Sequence, residues 1–153
     1  MSYKIIDNFM DIEYFYPLQA VMFDKNIPWY LEKNFSHTFY IRDNILSNLY
    51  TNLIPTVNHL NAKALVDIKA NLFLKEKEPT CSEWKLSKPF KCKSAIYYLN
   101  NSNSETHLQI DNKEIKIESK ENRMLVFDSD IKYRSLNQTD IKERVEIKYN
   151  YYE

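Results

Sequence analysis

Apolar and polar residues alternate with a period of two along most of the second half of the chain. Along the first half, apolar residues recur three and four apart. Ile115 and Ile117 alternate with Glu114, Lys116 and Glu118, and Val145, Ile147 and Tyr149 alternate with Glu146, Lys148 and Asn150. Such a period belongs to a strand with one polar face. It predicts strands over residues 64–74, 93–100, 106–110, 113–118, 124–127 and 144–151. Residues 100–104 read as a turn. So does Asp111-Asn112, because Asp and Asn tolerate positive φ better than other residues with a side chain. Many short strands separated by turns predict a sandwich or barrel.

The front of the chain reads differently. Residues 3–9 look like a short strand, and residues 35–40 an aromatic extended segment. Phe15, Leu18 and Met22 mark one face of a helix that Asp11 can cap, with Pro17 tolerated only near its start. Ile45, Leu46, Leu49, Tyr50, Leu53, Ile54, Val57 and Leu60 predict the longest helix, capped by Asp43 or Asn44. Pro55 predicts that it kinks or breaks into two pieces. Together these patterns predict one domain over 1–153, with a helical portion over 1–62 and a β core over 63–153.

Composition narrows the class. The chain has 153 residues, ordinary for one domain, and is 44% hydrophobic with twelve Tyr and eight Phe, enough for a core finished with large rings. Lys plus Arg and Asp plus Glu both number 21, so the formal net charge is zero. A neutral chain has no overall field to draw in a polyanion, and nucleic acid is not expected as a partner. Near the C-terminus Lys and aromatic residues interleave, but Glu143, Glu146 and Glu153 interrupt any basic stripe. Neutrality also removes one deterrent to self-association. No stretch approaches a membrane span and the N-terminus carries no secretory pattern, so an intracellular or virion setting is expected. Cys81 and Cys92, with ten residues between them, lack zinc-knuckle spacing, and free thiols are the default. The chain contains no glycine, so every turn must be made by other residues.

Several motifs in order carry a resemblance. They are YKIIDNFMD at 3–11, PWY at 28–30, FSHTFY at 35–40, LNAKALVDIKANLFLKE at 60–76, KSAIYYLNNSNSET at 93–106, ESKENRMLVFDSDIKYRS at 118–135 and ERVEIKYNYY at 143–152. In these the chain resembles the small 2-oxoglutarate/Fe(II)-dependent oxygenase-like proteins often encoded by bacteriophages. The resemblance implies a mainly β fold with flanking helices: a double-stranded β-helix, or distorted, cupin-like jelly roll. It also implies an iron site built from a His-x-Asp pair and a distal His, and an Arg that grips the far carboxylate of 2-oxoglutarate. Two imidazoles and a carboxylate fill one face of the metal and leave positions for cosubstrate and oxygen.

Carried onto this chain, the His-x-Asp pair falls on Cys81-Ser82-Glu83, within the loop 77–92, and the distal His falls on Tyr133. A phenol binds iron well only after losing its proton. His37, His59 and His107 lie elsewhere, and none pairs with metal-site spacing. Only the cosubstrate arginine persists, as Arg144, which could hold a carboxylate or other anion. A buried Arg144 needs a partner, and an Asp or Glu is the first expectation. No metal and no cofactor is therefore expected. The resemblance implies a non-catalytic structural or protein-binding role, with a protein partner or self-association, in a phage virion or the host cytoplasm. The alternatives are an active oxygenase using Fe(II) and 2-oxoglutarate with altered ligands, and a carboxylate sensor built on Arg144.

Overall fold

The computed structural model describes residues 2–153. The strands are β1 (Tyr3–Ile6), β2 (Tyr30–Leu31), β3 (Phe35–Ile41), β4 (Asn44–Ile45), β5 (Ala64–Leu74), β6 (Lys93–Tyr98), β7 (Glu105–Ile110), β8 (Lys113–Glu118), β9 (Arg123–Asp128), β10 (Lys132–Leu136) and β11 (Glu143–Tyr152). Helix α1 (Ile12–Met22) follows β1. A 3-10 turn (Asn48–Leu53) runs into helix α2 (Ile54–His59) before β5. Among the described residues, no helix is long and apolar enough to cross a membrane.

All strand pairs are antiparallel and form two sheets. The larger has the order β1-β9-β6-β11-β5-β3-β2, with β4 also on β3, and the smaller has the order β10-β7-β8. Cys81 bridges Leu136 and Lys85 bridges Tyr133, so residues 81–85 run along the free edge of β10. This is the double-stranded β-helix topology that the strand pattern and the resemblance imply.

The side-chain period of two sorts the large sheet into two faces. One face carries Ala95, Tyr97, Val145, Ile147, Tyr149 and Tyr151, packed with Phe15, Leu18, Met22 and Leu53 from the helical side. The other carries Ile96, Tyr98, Leu125 and Phe127, and it meets Leu108, Ile117 and Tyr133 of the small sheet together with Ile131. Strand β11 lies in the middle and is covered on both faces. Its even-numbered polar residues, which read as a wet face in the sequence, therefore point into the space between the sheets.

Four sequence expectations change. Residues 1–62 are not a helical front alone, because β1 pairs with β9 and β3 pairs with β5 inside the main sheet. The long helix over 45–60 does not form. Arg42 and Asp43 take positive φ and return the chain as β4, and Ser47, not Asp43 or Asn44, caps the next turn through its Oγ and the Leu49 N–H. The break comes at residues 53/54, which puts Pro55 at the second position of α2, where its missing N–H leaves no helical bond unmade. Pro17 sits inside α1 and not near its start. Pro17 and Glu13, whose carbonyl would have accepted the missing bond, are both exposed, so water can replace it. Strand β10 falls in a segment that sequence pattern left unassigned.

The absence of glycine is met at the turns. Among the described residues, positive φ is taken by Asn8, Arg42, Asp43, Asn61, Asp111, Asn112 and Asn122, at 50 to 61°. All but Arg42 are Asn or Asp, the residues for which this region costs least after glycine. Asn122 also ties its turn into the core. Its Oδ1 accepts from the Tyr97 hydroxyl at 2.6 Å and from the Met10 N–H at 3.1 Å, and its Nδ2 donates to the Met10 carbonyl at 2.7 Å.

Candidate functional site

A row of polar side chains, Arg144, Glu146, Lys148 and Asn150, runs along the inner face of β11. Arg144 is 1% exposed. Its Nη1 donates to Glu146 Oε2 at 2.7 Å, its Nη2 to Ser135 Oγ at 3.2 Å and its Nε to Gln138 Oε1 at 3.2 Å. The guanidinium carbon lies 4.0 Å from the Phe73 ring centroid, a stacking geometry available to Arg and not to Lys. The expected carboxylate partner is therefore present, and it is internal. Glu146 is two residues along the same strand, so both side chains emerge on one face by the pleat alone.

Lys148 is the next residue in the row. Its Nζ donates to Tyr133 Oη at 2.5 Å and lies 4.4 Å from the ring centroid. Burial pushes the Lys148 ammonium down to about 7. Lys85 and Lys88 push the same way, against the pull of Glu146 and Asp67. Tyr133 is held well above the ordinary phenol range, first by burial and then by Glu146 and Asp67. Lys85 Nζ also lies over the Tyr133 ring, 5.3 Å from its centroid. At the end of the row, Asn150 donates to Asp67 Oδ1 at 2.6 Å and accepts from Ser87 and Ser94 at 2.7 Å each. Lys88 closes on the other oxygen of Asp67.

The three positions aligned with metal ligands do not converge on one point. Tyr133 faces the interior opposite Lys85. Cys81 bridges Leu136, three residues further along β10, about 10 Å away and on the opposite face of the small sheet. Glu83 is exposed. Among the described residues, no group of three His, Cys, Asp or Glu could hold a metal ion. Iron does not fit this donor set, since a phenol kept protonated and facing two lysine ammonium groups offers a cation repulsion instead of a ligand. Cys81 and Cys92 are free thiols, and burial raises Cys92.

The three histidines have structural surroundings. His37 bonds the Pro28 carbonyl and Ser47 Oγ, each at 2.8 Å, and His59 stands edge-on to Phe9. His107 is buried. Its Nε2 lies 2.7 Å from Glu105 and its Nδ1 2.8 Å from Glu114. Sequence reasoning passed over Glu146 and Lys148 as members of a solvated face. The signal that could have found them is their place on the strand that begins with Arg144, which in a jelly roll has no solvated face.

No family model matches the chain, and no curated protein matches it in sequence. Solved structures match it in fold. A prolyl-4-hydroxylase from Pseudomonas putida superposes with a TM-score of 0.74 over 99% of this chain and 92% of its own, at 13% identity. An oxidoreductase of the 2OG-Fe(II) oxygenase family from Burkholderia pseudomallei gives 0.73 over 98% and 84%, at 12% identity. A prolyl hydroxylase from Trichoplax adhaerens, in complex with a hypoxia inducible factor oxygen degradation domain peptide fragment, gives 0.69 over 98% and 83%, at 13% identity. The fold is thus the jelly roll of the 2-oxoglutarate/Fe(II) oxygenases, and identities this low speak to fold alone.

Proposed function

We propose that this protein is a non-catalytic structural or protein-binding protein on a degenerate oxygenase scaffold, phage-encoded and acting in the virion or on a host protein. The observation that carries the reading is the internal ion pair. Glu146 occupies the fork of Arg144, the one residue retained from the expected cosubstrate site. A carboxylate covalently held on the same strand competes with any free one at an effectively high local concentration. Lys148, against Tyr133, adds a positive charge where a metal cation would have to enter. Both features disfavour the active-oxygenase alternative and the carboxylate sensor built on Arg144.

Support for a surface role comes from the far edge of the large sheet. Tyr30 and Leu31 on β2 are 62% and 70% exposed, and Ile45 and Leu46 at β4 are 61% and 59% exposed. Both strands pair with the same edge of β3, so these four residues lie along one edge of the large sheet. Large apolar side chains grouped at a sheet edge are a common composition for a contact surface.

Anaerobic addition of Fe(II) and 2-oxoglutarate, followed by oxygen, tests the proposal. The expected result is no saturable iron binding and no oxygen-coupled release of carbon dioxide. Stoichiometric iron uptake with turnover would overturn it.

A further inference from the structure

A cavity of about 230 Å³ opens beside the polar row, lined by Lys69, Lys88 and Lys148 together with Asp67, Ser87 and Asn150. The lysines reach it from three separate places: β5, the segment after residue 85, and β11. Lys69 pairs outward with Glu32 at 2.6 Å, and Lys88 pairs with Asp67. Among the described residues, Lys148 has no carboxylate of its own. Glu146 is committed to Arg144, Asp67 is shared by Lys88 and Asn150, and the one bonded partner of Lys148 is the neutral Tyr133 hydroxyl. Lys85 adds further positive charge from beyond Tyr133. Within the lining, three ammonium groups face one carboxylate, with the hydroxyls of Thr38 and Ser87 and the amides of Asn71 and Asn150 beside them. A partly buried excess of positive charge is unfavourable until a counter-charge enters.

The geometry points to this cavity as a binding site for a small oxyanion of the carboxylate or phosphate class, held chiefly by Lys148 and Lys88. It lies toward the opposite end of β11 from Arg144, and does not depend on that residue. An anion here gives Lys148 the partner it lacks, through the short charge-assisted bonds that ammonium groups make with oxyanions. It also relieves the mutual repulsion of the lysines.

Calorimetric titration of the intact protein with inorganic phosphate and with sodium acetate, at ionic strength held constant with chloride, tests the site. Saturable binding of at least one is expected, weakened about tenfold or more in Lys148→Met and in Lys88→Met. Lys113→Met, on the exposed β8 strand, should leave it unchanged. Tighter binding of phosphate assigns the phosphate class, and equal or tighter binding of acetate assigns the carboxylate class. Amide chemical shifts of Ser87 and Asn150 should move with the same midpoint, which reports location even if one variant fails to fold. No saturable binding, or binding that neither lysine variant weakens, overturns the proposal.

Discussion

Replacing Glu146 with Ala should both destabilise the protein and create a carboxylate site in it. Arg144 and Glu146 are both buried, and their contact is a 2.7 Å charge-assisted hydrogen bond. The substitution leaves a buried guanidinium whose remaining partners, Ser135 and Gln138, are neutral. Removing one member of a buried pair costs about 3–5 kcal/mol. For a chain of this length that is a fall in Tm of roughly 6–20 °C. The vacated volume lies directly before the Arg144 fork, so a small carboxylate can refill it. If acetate binds there at about ten times below its working concentration, it restores about 1.4 kcal/mol, or roughly 3–6 °C. The assay is thermal unfolding of wild type and Glu146→Ala with acetate or chloride at equal ionic strength, read as the acetate increment in the variant beyond that in wild type. A fall in Tm with no extra acetate increment would refute the claim that Glu146 fills a carboxylate site. A variant as stable as wild type would refute the claim that the pair is structurally required.

Two further substitutions probe other features. Because the folded-state ammonium of Lys148 is depressed to about 7 against an ordinary value near 10.5, the unfolded chain binds this proton more tightly across that interval. Its contribution to stability is therefore most unfavourable at and below pH 7 and is relieved as pH rises toward 10. Lys148→Met should raise stability at pH 7 by about 1–2 kcal/mol, allowing for partial solvent screening, with the gap from wild type closing as pH rises; parallel denaturation curves across pH would contradict this. Arg42→Gly should raise stability by roughly 0.5–1 kcal/mol, since Arg42 holds φ 50° where glycine has no steric cost, and urea midpoints compare the two directly.

Much of the fold was legible because alternation survives in the strands. Ile115 and Ile117 gave β8, and the 64–74 run gave β5 to the residue. The 45–60 segment misled for a physical reason. Its apolar residues satisfy helical spacing, but Ile45 pairs with Tyr40 as an edge strand, and Ser47 starts a new element. Local spacing cannot register a turn made by two positive-φ residues, Arg42 and Asp43, when neither is glycine. At the site, Arg144 and its need for an acidic partner were readable from chemistry. Glu146 as that partner and Lys148 against Tyr133 were not, because a period of two says which residues share a face and not what covers it. Cys81, Glu83 and Tyr133 were aligned by position along the chain, and only the β10 edge pairing shows that Cys81 faces away from Tyr133.

The inner row of β11 alternates in sign, from Arg144 to Glu146 to Lys148. A slip of two residues against β5 and β6 would keep every apolar side chain on its proper face, so greasy packing alone cannot reject it. The same slip would set Glu146 where the guanidinium belongs, beside Ser135 and Gln138, and would bring the Lys148 ammonium into the seat of a carboxylate. The ions thus act as a key that admits one alignment of the central strand. A mis-threaded chain is rejected by electrostatics where hydrophobicity is blind, and a variant with the row made wholly apolar should refold into a mixture of alignments.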